Sequence, residues 1–598
     1  MTQTTVPQQP AGPPPDARLL GKPPVAPWAS EVGRLLCAGV YLDPAFRNQV
    51  IDELYVHEER VAAPSYGMDA ARVLAHALRA RRTELGWAVG VLLTWALAWK
   101  LTGGLFPLSL LLPCVLLSLA AGITRPLKAG SVGMRFLASL IRFYARLLMV
   151  ATLIGLLVGA WVEGHPERAD NSLVELFWDL DRFIDIQHHL LPEKYAFEWY
   201  SRISHSGLES SYGVLFFFAV LVVLALLQRG QFARMMAAEL SPTRYPDLAN
   251  DPAEKAAGLR FSRVQQFIRD EQASQLVMYG TAKPFCGAGL PFKVWHLSVE
   301  LRPRTDLGSR APEPLGNEQV LRRVVPLVEA LRVPSPRSSP QTAAAVLDRL
   351  RELVVDECVF LPVTGLRDRY EVPCEPDDFQ DHRAQAIEEG GEKRRHFLRI
   401  RVGGWDEDVV ITIFVRVHTQ GGMLMLEVAP HVLMPVREVY QEADAIAQRY
   451  RNNNRFGKVA WAVMHAPRSL TSALASLGRG VVSLWQVLTE GHAGARPAGP
   501  KEAVRELASD LDSSLFQDMD VVRYLKTIQD RVTGGVKLAL YEAGWQTGEF
   551  EQKIVNLGAG ATYVEEVHDS AVNFGAQGSA TVANDAKGKS KGSSGGKQ

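Results

Sequence analysis

Four apolar stretches between Leu85 and Leu227, with arginine and lysine gathered at one set of their ends, constrain what this chain can fold into. They run 85–101, 105–123, 143–162 and 212–227. At about 1.5 Å per helical residue, each approaches the ~30 Å hydrocarbon core of a bilayer. In lipid the backbone polar groups can pair only with one another, so such runs are expected to be helices. Trp87, Trp99 and Tyr212 stand near the ends of the two shorter runs, where aromatic rings favour the interface.

The flanking charge gives an orientation. Arg79, Arg81 and Arg82 precede the first run, Arg125, Lys128, Arg135 and Arg142 fill the loop between the second and third, and Arg229 and Arg234 follow the fourth. On the other side are a tight turn after Leu101 and an outer loop, 163–211, with ten acidic residues against four basic ones. The positive-inside rule then predicts a multi-pass protein of the plasma (cytoplasmic) membrane, with both termini and most of the chain in the cytoplasm. Formal charge is zero over 598 residues, which gives no field for nucleic acid. The five cysteines are scattered, with none in the outer loop, as suits reduced cytosolic thiols.

The rest of the chain divides by pattern. Residues 1–27 read as a disordered Pro-rich arm and 28–84 as a small helical unit, with Asp43-Pro44 opening a helix. The membrane domain, 85–228, is followed by a cytoplasmic α+β domain, 229–440, with a mainly antiparallel sheet. Its strands are predicted at 276–279, 293–301, 396–402, 408–418 and 423–428, with turns at Gly403-Gly404 and Gly421-Gly422 and helices at 318–331 and 342–353. Residues 457–490 pattern as one amphipathic helix, lying on the inner leaflet or packing on the sheet. A fifth span there would place Arg479 in mid-bilayer, at a cost of roughly 2.5–3.5 kcal/mol. A helical unit, 501–550, and a flexible tail, 551–598, complete the chain.

Few residues point to chemistry. The loop Gly280-Thr-Ala-Lys-Pro-Phe-Cys-Gly-Ala-Gly289 is a candidate ligand loop: Gly280, Gly287 and Gly289 would present amide N–H groups to an anion, with Lys283 adding charge. It lacks the Gly-Lys-Ser/Thr of a phosphate loop, and a purely structural turn has the same composition. Asp377, Asp378, Asp381 and His382 cluster without metal-ligand spacing, and Asp185 with His189 could face an ion on an outer helix, so no metal ligand, cofactor or catalytic residue is assigned. Arg146 enters the third run, where it must snorkel or pair, and is the candidate intramembrane residue. Val555-Asn556-Leu557-Gly558-Ala559 recurs seventeen residues later as Val572-Asn573-Phe574-Gly575-Ala576, a candidate self-association repeat because short β-prone units of low charge can stack between chains.

The segments Arg34-Leu-Leu-Cys-Ala-Gly-Val-Tyr-Leu-Asp-Pro44, Ala63-Pro-Ser-Tyr-Gly67, Tyr279-Gly280 with Pro284-Phe285-x-Gly287-x-Gly289, and Arg399-Ile-Arg-Val402 with Arg416 resemble a group of uncharacterised actinobacterial multi-pass membrane proteins. The resemblance spans most of residues 28–440 and implies no activity. The tail repeat is similar to the short amyloid-type motifs of bacterial signalling and defence proteins. The expected function is a non-enzymatic, membrane-anchored signalling or scaffold protein with the bilayer, an unknown cytoplasmic protein and further copies of itself as partners. The alternatives are a membrane effector or channel that permeabilises the bilayer, and a membrane-bound enzyme using the Gly280–Gly289 loop.

Overall fold

The computed structural model describes residues 26–124, 132–165, 211–255, 258–307, 311–333, 339, 349–388, 391–406, 408–489, 492–510 and 513–558. The expectations for the N-terminal arm, for Asp185 and His189 and the rest of 166–210, and for the second repeat copy with Val572, Asn573 and Gly575 lie outside these residues.

Helices α1 (Glu31–Leu42) and α2 (Pro44–Ile51) meet at Asp43, whose carboxylate accepts the Ala45 N–H at 2.8 Å, so the predicted helix start stands. Helix α3 (Ala70–Leu101) is capped by Asp69 and runs unbroken for 32 residues. Its first two turns are buried among α1 and α2, and its second half is the first apolar run, so the helical unit and that run share one rod. A turn at Thr102, whose hydroxyl accepts the Phe106 N–H at 3.1 Å, leads into α4 (Leu105–Thr124). Then come α5 (Val132–Gly164) and α6 (Ser211–Ala238). Trp95 of α3, Phe106 of α4 and Phe217 of α6 form an aromatic stack at the centre of this unit, with ring centroids 4.9 and 6.2 Å apart.

Among the described residues, two helices are long and apolar enough to cross a membrane, Phe136–Trp161 within α5 and Ser211–Ala238. The apolar part of α4, Leu105–Ala120, is shorter and holds Pro113, and the run in α3 ends in Lys100. Two helices therefore meet the length and composition of a crossing where four were expected.

After α7 (Leu259–Ala273) the chain enters the sheet: β1 (Leu276–Tyr279), β2 (Leu290–Pro291), β3 (Trp295–Glu300), α8 (Asn317–Glu329), β4 (Val354–Pro362), α9 (Pro376–Ala386), β5 (Arg395–Gly404), β6 (Val409–Gln420) and β7 (Met423–Leu433). The order is β1-β4-β5-β6-β7, with β2 and β3 pairing opposite ends of β7. The sheet is mixed rather than antiparallel throughout. The crossover through β2, β3 and α8 returns β4 parallel to β1, with Leu276 opposite Val359. Gly421 and Gly422, both at positive φ, make the β6–β7 hairpin as predicted. Gly403 and Gly404 do not turn; they extend β5, and Trp405 and Asp406 take the positive φ instead.

The chain then runs through α10 (Ala443–Asn452), α11 (Arg455–His465), α12 (Ser469–Thr489), α13 (Leu515–Glu542) and α14 (Gly548–Gly558). One sheet face, with Ile400, Ile413 and Leu426, packs on Val324 of α8 and Ile528 of α13. The opposite face gathers Phe360, Phe397 and Phe414.

The predicted single helix over 457–490 is two helices, broken at Ala466–Arg468 where Pro467 cannot continue the turn. Its second half, α12, packs on α3 rather than on the sheet. Helix α12 lies along α3 with its polar side inward: Arg81 donates to the Arg479 carbonyl and the Ser483 hydroxyl, both at 2.8 Å, and Ser476 donates to Glu84. Leu474, Val481, Trp485 and Leu488 face outward and are exposed.

Candidate functional site

The Gly280–Gly289 loop is already filled by the protein itself. Glu506 Oε1 accepts the N–H groups of Gly287 at 2.8 Å and Gly289 at 3.0 Å, which are the donors an anion would need. A Cβ on Gly289 would come within 2.3 Å of the Val432 carbonyl oxygen, and one on Gly287 within 2.4 Å of the Pro64 oxygen, so no room for a ligand lies over these amides. Phe285 plugs the aromatic face of the sheet, with its ring centroid 4.8 Å from that of Phe414 and 5.2 Å from that of Phe360. The loop is a joint rather than a binding site for a diffusible ion. Ala63–Gly67 meets it from the other side, and Arg401 stacks over Tyr66 at 4.9 Å while Asp356 accepts from both Arg399 and Arg401. Three of the sequence segments noted above thus converge here, around a residual space of about 30 Å³.

Asp377 and Asp378 sit in the first turn of α9, where carboxylates complement the helix dipole, and Asp378 accepts the Glu375 N–H at 3.3 Å. Val555, Asn556 and Gly558, the first repeat copy, form the last turns of α14, so a stacked-strand role would require that helix end to unwind.

The cavity that stands out lies where α3 and α6 meet α2, α11 and α12. About 540 Å³ is enclosed by α2, the middle of α3, the end of α6, α11 and the start of α12. Its lining holds five arginines, Arg47, Arg79, Arg229, Arg234 and Arg468, against two glutamates, Glu84 and Glu239. Arg79 is matched by Glu239, and Arg47 pairs with Glu84. Glu84 is shared, however: Arg479 Nη2 lies 3.9 Å away, and Arg81 stands beside Arg479. Burial, followed by the like charges of Arg479 and Arg81, lowers the Arg47 guanidinium to about 10. Arg47 is buried, and its Nε finds no partner. Burial likewise lowers Arg81, and Arg229 stands 5.4 Å from the Trp461 ring centroid. His465 stacks on Trp461 at 4.0 Å, and its pKa is pushed down by burial and then by Arg468, Arg229 and Arg146. Arg146, which does not line the cavity, is near enough to His465 to add to that shift.

The lining therefore has the chemistry that attracts an anion. Positive charge exceeds negative in a partly dry space, and a phosphate would relieve repulsion that the protein otherwise bears. The sequence hid it, because its arginines come from segments far apart and each looks like an ordinary inside anchor.

Residues 294–573 match the AbeC-like domain family. No curated protein matches the chain, and no solved structure does. The AbeC-like region begins just before β3 and leaves out the membrane helices. It nevertheless supplies Trp461, His465 and Arg468, one wall of the cavity, while α2, α3 and α6 supply the other.

Proposed function

We propose that this chain is a non-enzymatic, membrane-anchored scaffold or signalling protein whose inner cavity takes a phosphate-bearing anion. The anchor is four crossings by α3 to α6, with both termini and the AbeC-like region on the cytoplasmic side. An apolar belt supports this reading: Leu97 on α3, Leu119 on α4, Leu157 on α5 and Phe216 on α6 are each more than half exposed, which water would penalise and lipid would not. The orientation rests on the basic flanks.

The buried, incompletely paired guanidinium of Arg47 carries the ligand assignment. A phosphate reaching it would gain charge-assisted hydrogen bonds of about 1.5–3 kcal/mol each. Both a lipid headgroup and a soluble phosphate compound have this chemistry, and the cavity opens where either can enter. Occupancy would hold α11 and α12 against α3, coupling the state of the inner leaflet to the AbeC-like region.

The test uses the full chain in nanodiscs. Neutral-lipid discs are titrated with inorganic pyrophosphate, and discs containing a phosphoinositide are analysed by native mass spectrometry for retained lipid. The reading expects binding in one arm, weakened at least about tenfold by Arg47→Gln and by Arg229→Gln. Absence of binding in both arms, or binding unchanged in both variants, would overturn it.

A further inference from the structure

We propose a zinc site made by His57, Glu59 and His492, distinct from the arginine cavity. His57 Nδ1 is 2.9 Å from Glu59 Oε1, His492 Nδ1 is 3.1 Å from Glu59 Oε2, and one candidate ligand atom from each residue lies within 4.8 Å of the others. This is the one such group among the described residues. In a tetrahedral site with bonds of about 2.0–2.1 Å, ligand atoms stand about 3.3 Å apart. The two histidine-to-Glu59 separations, one to each carboxylate oxygen, need only a few tenths of an ångström to open, and the rest of the trio lies within 4.8 Å.

Two further observations favour a metal over a simple hydrogen-bonded trio. Glu59 Oε2 is closed off from solvent and makes no hydrogen bond, although it points at the imidazole of His492. The second nitrogen of His57, Nε2, has the Asp52 carboxylate 3.8 Å away, near the place of an outer carboxylate that a ligating histidine uses, though not yet within hydrogen-bond reach. The two rings meet edge-on, centroids 4.4 Å apart and 61° between planes, so both converge on the carboxylate rather than stacking flat on each other. Two imidazoles and one carboxylate form a nitrogen-and-oxygen set that suits zinc, with water in the fourth place. The three side chains keep 13–18% exposure, which gives an ion a way in.

The backbone has prepared the site. The His57 N–H closes the turn on Asp52 at 3.0 Å. Residues 59–61 bridge Ala498, whose N–H donates to the Glu59 carbonyl and whose own carbonyl accepts from Val61, each at 2.9 Å. His492 sits in the single turn that follows α12. Zinc would therefore fasten the exit of α12, within the AbeC-like region, to the helical unit ahead of α3. It would clamp the strap that carries Ser476 and Arg479 to Glu84.

The experiment takes the full chain without a polyhistidine tag, stripped with chelator, and titrates it with Zn²⁺ by calorimetry and with Co²⁺ by visible absorption. The proposal expects one ion per chain, the intense d–d bands of tetrahedral Co²⁺, and a melting temperature that rises with Zn²⁺ concentration. His57→Ala and Glu59→Gln lose at least about 100-fold in affinity. His492→Cys, a ligand-conserving change, keeps binding and adds a sulfur-to-cobalt charge-transfer band, which guards against loss of folding in the other variants. No stoichiometric Zn²⁺, or equal binding by His57→Ala and Glu59→Gln, would overturn it. Because neither phosphate nor lipid enters this measurement, its failure leaves the cavity reading standing, and the reverse holds.

Discussion

Glu506 shows how a single carboxylate can occupy the place that looks made for a ligand. It takes the amides of Gly287 and Gly289, both at positive φ and both pressed against backbone. Glu506→Ala leaves two buried donors unsatisfied and is expected to cost about 2–3 kcal/mol, read as a lower melting temperature of the full chain. The glycines and Lys283 announced a constrained loop, but the acceptor lies more than two hundred residues away, where no spacing rule reaches it. A second residue sets a pH response. His431 is buried beneath Phe285, and burial pushes its pKa down to about 4 from 6.5. The unfolded chain takes up the proton first as pH falls, so this contribution is complete above pH 6.5 and is lost between pH 6.5 and about 4. It amounts to roughly 3 kcal/mol at most. His431→Phe should flatten the stability profile in that window, and an unchanged slope would assign the acid sensitivity elsewhere.

At the scale of elements, α12 best separates what pattern can say from what it cannot. Its period of three and four was plain in Leu470, Leu474, Leu477, Val481, Trp485 and Leu488, and the helix is there. Which face turns inward depended on partners outside the segment. Glu84 and Arg81 of α3 draw Ser476 and Ser483 inward beside Leu470 and Leu477, so Leu474, Val481, Trp485 and Leu488 are left facing out. Ser118 of α4 and Thr471 bond at 2.5 Å, which sets the start of α12 beside a membrane helix. A nitroxide on Val481→Cys is therefore expected to be relaxed by oxygen from the lipid phase, and one on Ser476→Cys to be shielded. Water-phase nickel reaching Val481→Cys more readily than oxygen would refute this placement. The hairpins were legible for a different reason. Gly421-Gly422 fits the positive-φ turn that joins two twisted strands, whereas Trp405 and Asp406 adopt it without any compositional signal.

For the molecule as a whole, the apolar helices and strands β1, β3 and β5 to β7 were readable from hydropathy and alternation, because both follow from which solvent each segment meets, whereas β4 was not. The parallel pair β1–β4 was not readable, since it depends on where a long crossover returns. Nor were the arginine cavity and the His57–Glu59–His492 cluster, each assembled from segments on both sides of the membrane helices in sequence. All of these sit on the frame proposed above, four crossings that leave both flanking units on the same side. The direct test is impermeant maleimide labelling of intact cells carrying Leu101→Cys, at the turn between α3 and α4, or Leu515→Cys, exposed at the start of α13. The account predicts that Leu101→Cys reacts in intact cells and Leu515→Cys only after the membrane is opened; reaction of Leu515→Cys in intact cells, with Leu101→Cys protected, would contradict it.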